Sequence, residues 1–120
     1  RAIKLQSRAA RVGFDWPTTD EVLDKIVEEA QELREVQDEA ERFEEFGDLL
    51  FVMVNLGRHM GLDPEAALRA ANAKFTLRFE SIEAALAERG KTPAESDLAE
   101  MDALWDAAKA VEKTRKKNAP

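Results

Sequence analysis

Two short acidic motifs stand where this chain is expected to bury apolar surface. Glu29 and Glu32 form an i,i+3 pair in the first motif, and Glu45 and Asp48 form a second pair. Side chains three residues apart lie on the same face of a helix. If the two helices are neighbours, the four carboxylates can converge on one point, and their mutual repulsion then requires a cation. The spacing therefore predicts a metal site.

The surroundings of both motifs are apolar. Glu29 falls at helical spacing among four residues that we expect to face the core, namely Val22, Ile26, Leu33 and Val36. Asp48 is the only charged residue in the run FGDLLFVMVNLG at residues 46–57. A helix that is apolar nearly all round is typically buried, so we expect Asp48 to be buried with it. A buried carboxylate is costly unless it is protonated, paired or bound to a metal.

A solvated helix face is the competing interpretation, because paired glutamates are common on surface helices. Two acidic residues on apolar faces favour the metal site. Carboxylate oxygens suit Mg²⁺, Mn²⁺ or Ca²⁺ before zinc. A di-iron bundle needs Glu-x-x-His motifs, and the single histidine, His59, lies more than two turns beyond Asp48. Because Mg²⁺ takes part of its coordination from substrate phosphates, the site points towards phosphate chemistry.

Basic and aromatic residues add a second set of candidates. Lys74 and Arg78 are i,i+4 on one flank of an apolar stripe, and an anion between them would relieve their repulsion. The alternative is that both extend from the rim of the core. Trp16 and Trp105 can stack on a base, although packing is the commoner role of an isolated tryptophan. No Ser, Cys or His is positioned as a nucleophile. For a site that acts on phosphates, direct attack by water on phosphorus is therefore the simpler hypothesis.

Composition limits the classes of protein that fit. The 120 residues are 44 % hydrophobic and 36 % charged, which is typical of one soluble helical domain over residues 1–120. The net charge of −7 argues against a nucleic-acid surface. The chain has no cysteine, which excludes disulfides and thiolate zinc sites and fits a cytoplasmic protein. No apolar run is long enough to span a membrane.

The elements that must position these residues are predicted to be helical throughout. The expected helices cover about residues 2–11, 18–38, 41–60, 63–89 and 97–114, with a frayed tail over 114–120. Thr18 with Glu21 forms a capping box, and Asp63-Pro64 and Asp97 are further start signals. The predicted fold class is all-α, an antiparallel helical bundle.

Five blocks of sequence carry a resemblance to a known family. They are AARVGFDWP at 9–17, KIVEEAQEL at 25–33, EEFGDLLFVMVNLGRHMG at 44–61, ANAKFTLRF at 71–79 and LAEMDALW at 98–105. In this order they resemble the MazG-type nucleoside triphosphate pyrophosphohydrolases, the all-α NTP pyrophosphatases. The chain is most similar to the C-terminal catalytic domain of two-domain bacterial MazG. It begins at Arg1 rather than Met, so we expect a fragment from which an N-terminal sister domain is missing.

The resemblance implies a role for each matching residue. The Mg²⁺ ligands, for which Mn²⁺ is a possible substitute, would be Glu29, Glu32, Glu45 and Asp48. The nucleotide contacts would be Lys25, Lys74, Arg78 and Trp105, with Lys74 and Arg78 binding phosphate. Asn72 and Glu28 would support their neighbours, and Trp16 matches more weakly.

The resemblance also implies a reaction and a partner. The reaction splits a nucleoside triphosphate between the α and β phosphates, giving a nucleoside monophosphate and pyrophosphate, with metal-activated water as the nucleophile. The family dimerises through its helices, and a thin bundle has a physical reason to do so. Two alternatives stay open. One is a pyrophosphatase restricted to one nucleotide such as dUTP or dCTP, and the other is a non-catalytic module that binds nucleotide and dimerises.

Overall fold

The computed structural model describes residues 1–118, which form five α-helices, one short 3₁₀-helix and no β-strand. The α-helices are α1 (Ala2–Ala10), α2 (Thr19–Glu35), α3 (Glu39–His59), α4 (Pro64–Glu88) and α5 (Leu98–Asn118), and the 3₁₀-helix covers Pro93–Glu95. The all-α prediction is confirmed. The described residues contain no helix that is both long and apolar enough to cross a lipid bilayer.

Short polar residues start the helices where the sequence predicts. The side chain of Thr18 accepts a hydrogen bond from the amide of Glu21 at 3.2 Å, at the start of α2. Asp63 and Asp97 cap α4 and α5 in the same way, at 3.0 Å and 2.8 Å. Each cap satisfies an amide that the helix itself leaves unpaired.

Glycine ends α3. Gly61 adopts a positive φ of 71°, and the amide of Leu62 then reaches back to the carbonyl of Gly57 at 2.8 Å. This pattern closes a helix because it satisfies one of the free carbonyls of the last turn.

Two predicted helix ends were wrong. α2 ends at Glu35 rather than near residue 38, because Asp38 caps the next helix by accepting a hydrogen bond from the amide of Ala40 at 2.8 Å. α5 continues to Asn118 rather than stopping near residue 114. The last two residues of the tail, 119 and 120, lie outside the described range.

The chain divides into two compact units, of which the first comprises Arg1–Ala67 and the second begins at Leu68. In the first unit, α1 and α2 pack against α3. The side-chain amide of the buried Gln6 donates to the carbonyl of Phe51 at 2.8 Å and so ties α1 to α3. Val22 and Val52 are buried. A single domain over residues 1–120 stays a prediction.

The second unit contains most of α4, and α5. Ile82 and Leu86 are its buried apolar residues. Glu100 in the first turn of α5 accepts from Arg89 at 2.8 Å. The aromatic ring of Phe75 in α4 lies 5.5 Å from that of Trp105 in α5, measured between centroids.

One face of α3 is exposed, and this corrects the expectation for Asp48. Phe46, Leu50 and Phe51 around it are exposed, and so is Asp48 itself. The expectation assumed that an apolar helix is enclosed on all sides. Within the first unit, α1 and α2 cover only one side of α3, so the apolar surface beyond them reaches solvent.

Candidate functional site

Three carboxylates from α2 and α3 form a cluster in the first unit. Glu29, Glu32 and Glu45 each place one oxygen within 4.8 Å of the other two. The i,i+3 spacing on α2 brings Glu29 and Glu32 to one side, and the packing of α2 along α3 brings Glu45 to them. The convergence of the two motifs is therefore observed for three of the four predicted ligands. Asp48 is not part of the cluster, and its role as a ligand stays a prediction.

Two carboxylates of this cluster have buried oxygens, which makes the cluster costly without a cation, whereas Glu32 is exposed. Glu29 is only 7 % exposed, as its place in the apolar stripe predicts. Oε2 of Glu29 and Oε2 of Glu45 are both buried without a hydrogen-bond partner among residues 1–118. Burial raises the pKa of Glu45 to about 7, and the neighbouring carboxylates of Glu29 and Glu32 act in the same direction. Unpaired, closely spaced carboxylate oxygens are the donors that a hard divalent cation takes, so the residues present fit Mg²⁺.

Lys25 lies one turn before Glu29 and contacts the cluster. Its Nζ is 3.1 Å from Oε1 of Glu29 and 3.3 Å from Oε1 of Glu28. The interactions with Glu29 and then Glu28 raise the pKa of Lys25. Because Lys25 engages Oε1, Oε2 is the oxygen of Glu29 that remains for a cation. The predicted contact of Lys25 with nucleotide stays a prediction, as does the supporting role of Glu28.

The predicted phosphate and base contacts of α4 and α5 lie in the second unit. Arg78 and Trp105 are in contact, with the guanidinium carbon 5.1 Å from the centroid of the tryptophan ring. Lys74 is exposed one turn before Arg78. Asn72 is also exposed, and its backbone carbonyl accepts a hydrogen bond from Thr76 at 3.0 Å.

Glu112 is a residue that the sequence interpretation missed. Its two carboxylate oxygens accept from Nε and Nη2 of Arg78 at 2.9 Å and 2.7 Å. The hydrogen bonds from Arg78 are the main cause that lowers the pKa of Glu112. The only sequence signal was the spacing of Trp105 and Glu112, two turns apart on α5, which places both on one helix face. Both side chains meet the same arginine.

Lys74, Arg78 and Glu112 line an open groove of about 850 Å³. Small and apolar residues of α4 and α5 form most of its walls, including Ala73, Leu77 and Leu104. Arg115 and Lys116 add two more positive charges to its lining. The groove therefore offers an apolar surface next to an excess of cationic side chains.

Asp15 fixes the segment that carries Trp16. Its Oδ1 accepts from Nη2 of Arg58 at 2.6 Å, lies 2.9 Å from Nε2 of His59, and accepts from the amide of Trp16 at 2.9 Å. The hydrogen bond from Arg58 is the main cause that lowers the pKa of Asp15 to about 2. His59 thus pairs with a carboxylate at the end of α3.

Comparison with known proteins gives consistent results along the chain. Residues 1–75 match the family described as phosphoribosyl-ATP pyrophosphohydrolase. The nucleoside triphosphate pyrophosphohydrolase/pyrophosphatase MazG of Thermotoga maritima is 43 % identical over 113 residues, which are 94 % of this chain. The nucleoside triphosphate pyrophosphohydrolase of Escherichia coli K12 is 45 % identical over an alignment 117 residues long, which covers 93 % of this chain.

The matched relatives are longer than this chain. The alignments cover 44 % of both the Thermotoga and the Escherichia proteins, so the chain spans less than half of their length. A shorter match, 45 % identical over 69 residues, covers 58 % of this chain and 14 % of the uncharacterized protein YabN of Bacillus subtilis. The family match extends over more than half of the chain and includes all three clustered carboxylates. The chain therefore belongs to the phosphoribosyl-ATP pyrophosphohydrolase and MazG-like family of nucleoside triphosphate pyrophosphohydrolases.

Proposed function

We propose that this chain hydrolyses nucleoside triphosphates between the α and β phosphates, releasing a nucleoside monophosphate and pyrophosphate. The observation that carries the proposal is the cluster of Glu29, Glu32 and Glu45, in which the buried, unpaired oxygens of Glu29 and Glu45 fit a divalent cation. The names of the Thermotoga and Escherichia relatives support the same reaction class.

Mg²⁺ is the proposed cofactor, with Mn²⁺ as a possible substitute. Glu29, Glu32 and Glu45 would hold it, and Asp48 would be a fourth ligand on the same helix as Glu45. When bound, the cation would supply positive charge that neutralises phosphate oxygens and makes water more acidic. Lys25 would keep Glu29 in place through its contact with Oε1.

The remaining predicted residues would bind the nucleotide. Lys74 and Arg78 would take up negative charge on phosphate oxygens as it develops, and Lys25 and Asn72 would contribute polar contacts. Trp105 would lie against the nucleoside, because an aromatic face stacks on any base. We propose water as the nucleophile: its oxygen forms the new bond to phosphorus as the bridging P–O bond breaks.

We further propose that two copies of the chain associate through α3. An apolar stripe on α3 is exposed, and its members Phe43, Phe46, Leu50 and Met53 follow helical spacing. Exposed stripes of this kind are typical of helix-mediated interfaces. In a whole protein as long as the matched relatives, this segment would work beside a sister domain.

The test is turnover of ATP, GTP, CTP, UTP, their deoxy forms and phosphoribosyl-ATP with Mg²⁺, with products separated by ion-exchange chromatography. Monophosphate and pyrophosphate from several nucleotides, absent in Glu45→Ala, would support a broad pyrophosphohydrolase. Products from dUTP or dCTP alone would indicate a specialised enzyme. Release of a diphosphate and orthophosphate would contradict the proposed bond.

Binding without turnover would favour the regulatory alternative. A nucleotide that binds saturably with Mg²⁺, measured by calorimetry, but yields no product would indicate a non-catalytic module. Arg78→Ala separates the two parts of the proposal. We expect it to weaken triphosphate binding or slow turnover while Mg²⁺ affinity stays unchanged, and a loss of Mg²⁺ binding in this variant would contradict the assigned roles.

A further inference from the structure

The guanidinium of Arg78 is fixed on two sides within the second unit. Glu112 binds one edge through Nε and Nη2, at 2.9 Å and 2.7 Å. The ring of Trp105 lies against one face, 5.1 Å from the guanidinium carbon. The Arg78 side chain is only 12 % exposed, whereas that of Glu112 is 38 % exposed. The arginine is the more deeply held member of the pair.

This geometry determines which part of Arg78 can meet an anion. A guanidinium offers five N–H donors in a rigid plane. The carboxylate occupies the edge formed by Nε and Nη2, and the tryptophan fixes the orientation of the plane. The Nη1 edge takes no part in the pair with Glu112, so it is the edge that is left to bind a phosphate oxygen.

We propose that Glu112 is a positioning residue, which holds Arg78 in the orientation that binds phosphate. This inference rests on the proposed function, since it takes Arg78 as a phosphate contact. Glu112 itself need not touch the substrate. It acts by removing the rotational freedom of a long side chain before the nucleotide arrives, which lowers the cost of ordering it in the transition state.

The alternative is that Glu112 opposes phosphate binding at Arg78. A carboxylate on a phosphate-binding arginine can also compete with phosphate. The groove around the pair favours positioning, because Lys74, Arg115 and Lys116 also line it and leave a net positive charge after Glu112 is counted. These three cations join none of the ion pairs found in residues 1–118, so an arriving phosphate meets them without displacing Glu112.

The first experiment is a double-mutant cycle on steady-state turnover. We expect Glu112→Ala to lower kcat on the order of 10-fold, and to have no further effect when Arg78 is already alanine. The Mg²⁺ concentration for half-maximal activity should not change. Glu83→Ala is the matched control, because Glu83 is an exposed glutamate of α4 that joins none of the ion pairs found in residues 1–118. Equal effects of Glu112→Ala in both backgrounds, or a lower KM without loss of kcat, would overturn the proposal.

A second experiment needs no turnover. The chain has two tryptophans, so Trp16→Phe leaves Trp105 as the single emitter. In this background we expect Glu112→Ala and Arg78→Ala to change the Trp105 emission in the same direction without nucleotide, because both remove the fixed cation from the ring. Glu112→Gln, which keeps one acceptor, should give a smaller change. Unchanged emission in Glu112→Ala would overturn the positioning role.

The two experiments distinguish the proposed function from the positioning role of Glu112. If the parent chain hydrolyses no triphosphate while the emission changes as expected, the proposed function fails and the placement of Arg78 by Glu112 stands. If the parent chain is active and the emission does not respond to Glu112, the positioning role fails and the proposed function stands. Far-ultraviolet circular dichroism of each variant shows that the compared chains are folded.

Discussion

Lys25 and Glu45 act on the carboxylate cluster in different ways. Lys25 places a positive charge 3.1 Å from Oε1 of Glu29. Among residues 1–118, Glu45 joins no ion pair with a positively charged side chain, and burial raises its pKa to about 7. Without metal, Glu45 therefore holds a proton up to near-neutral pH, which lowers the negative charge of the cluster. A cation that binds here must replace that proton.

Glu45→Gln tests this description of the metal-free protein. Glutamine has nearly the shape of a protonated glutamate, and it removes a repulsive charge, so we expect the melting temperature without metal to stay the same or rise. A ligand that binds the folded state raises the melting temperature. Because the variant lacks one of the proposed Mg²⁺ ligands, we expect it to lose the rise that Mg²⁺ causes in the parent chain. Thermal melts with and without Mg²⁺ measure both effects. Glu44→Gln, an exposed neighbour outside the cluster, should keep the Mg²⁺ response.

Asp15 predicts a pH dependence of stability. Its pKa in the folded protein, about 2, lies below its ordinary value of 3.8, chiefly because of the hydrogen bond from Arg58. Ionised Asp15 therefore stabilises the fold above pH 3.8, and this contribution is lost as the pH falls towards 2. We expect Asp15→Asn to lower the free energy of unfolding at pH 7 by about 1 kcal/mol, allowing for its partial exposure.

Urea unfolding at several pH values measures this prediction. The difference between the parent chain and Asp15→Asn should shrink as the pH is lowered through the acid range. Asp24→Asn is the control, since Asp24 is exposed and joins none of the ion pairs within residues 1–118. A difference that is independent of pH would contradict the assigned ion pair with Arg58.

Two glycines of α3 make a matched pair at the level of the helix. A Cβ on Gly47 would meet no atom within 4 Å, whereas a Cβ on Gly57 would lie 3.0 Å from Cγ of Pro64. Alanine is favoured over glycine inside a helix, so we expect Gly47→Ala to raise the free energy of unfolding by about 0.5–1 kcal/mol. Gly57→Ala should lose most or all of that gain against the proline ring. Urea unfolding compares them, and equal gains would show that the end of α3 is not closely packed on Pro64.

Signals close together in the sequence predicted the helices well. Thr18, Asp63 and Asp97 each cap a helix at the predicted place, because the capping hydrogen bond joins residues two or three apart. The end of α2 was misplaced because no glycine or proline marks it. Asp38 was the available signal, since it caps α3.

Features that depend on distant residues were harder to predict. The spacing of Glu29, Glu32 and Glu45 predicted that they would cluster if their helices were neighbours. The helices α2 and α3 do pack together, and the three carboxylates meet. The prediction that Asp48 is buried was wrong. Periodicity shows which face of a helix is apolar, but it does not show whether the same chain covers that face. The pair of Arg78 with Glu112 joins residues 34 positions apart, and no local pattern specifies that contact.

At the scale of the whole molecule, the exposed apolar surface of α3 is unfavourable for an isolated chain in water. Phe43 in its stripe is 83 % exposed. Burial of such side chains against a second copy would stabilise by roughly 1.5–3 kcal/mol for each one fully covered. This surface is the reason to expect self-association.

Phe46→Glu tests the association. A charge in the middle of the stripe cannot be buried against an apolar partner, so we expect the parent chain to sediment as a dimer and the variant as a monomer. Leu98→Glu is the control: Leu98 is also exposed, but it lies in the first turn of α5, where an acidic residue is favourable. Sedimentation velocity distinguishes the states, and a monomeric parent chain would rule out the interface.

The attachment of α1 has a consequence for amide hydrogen exchange. This nine-residue helix has no side-chain cap at its N-terminus, and the hydrogen bond from Gln6 to the carbonyl of Phe51 ties it to α3. Helices this short are marginal on their own, so α1 should open while α2 and α3 stay paired. The amides of residues 6–10 should therefore exchange with deuterium earlier than those of residues 49–56. Gln6→Ala should speed up exchange in α1 and leave the slow amides of α3 almost unchanged.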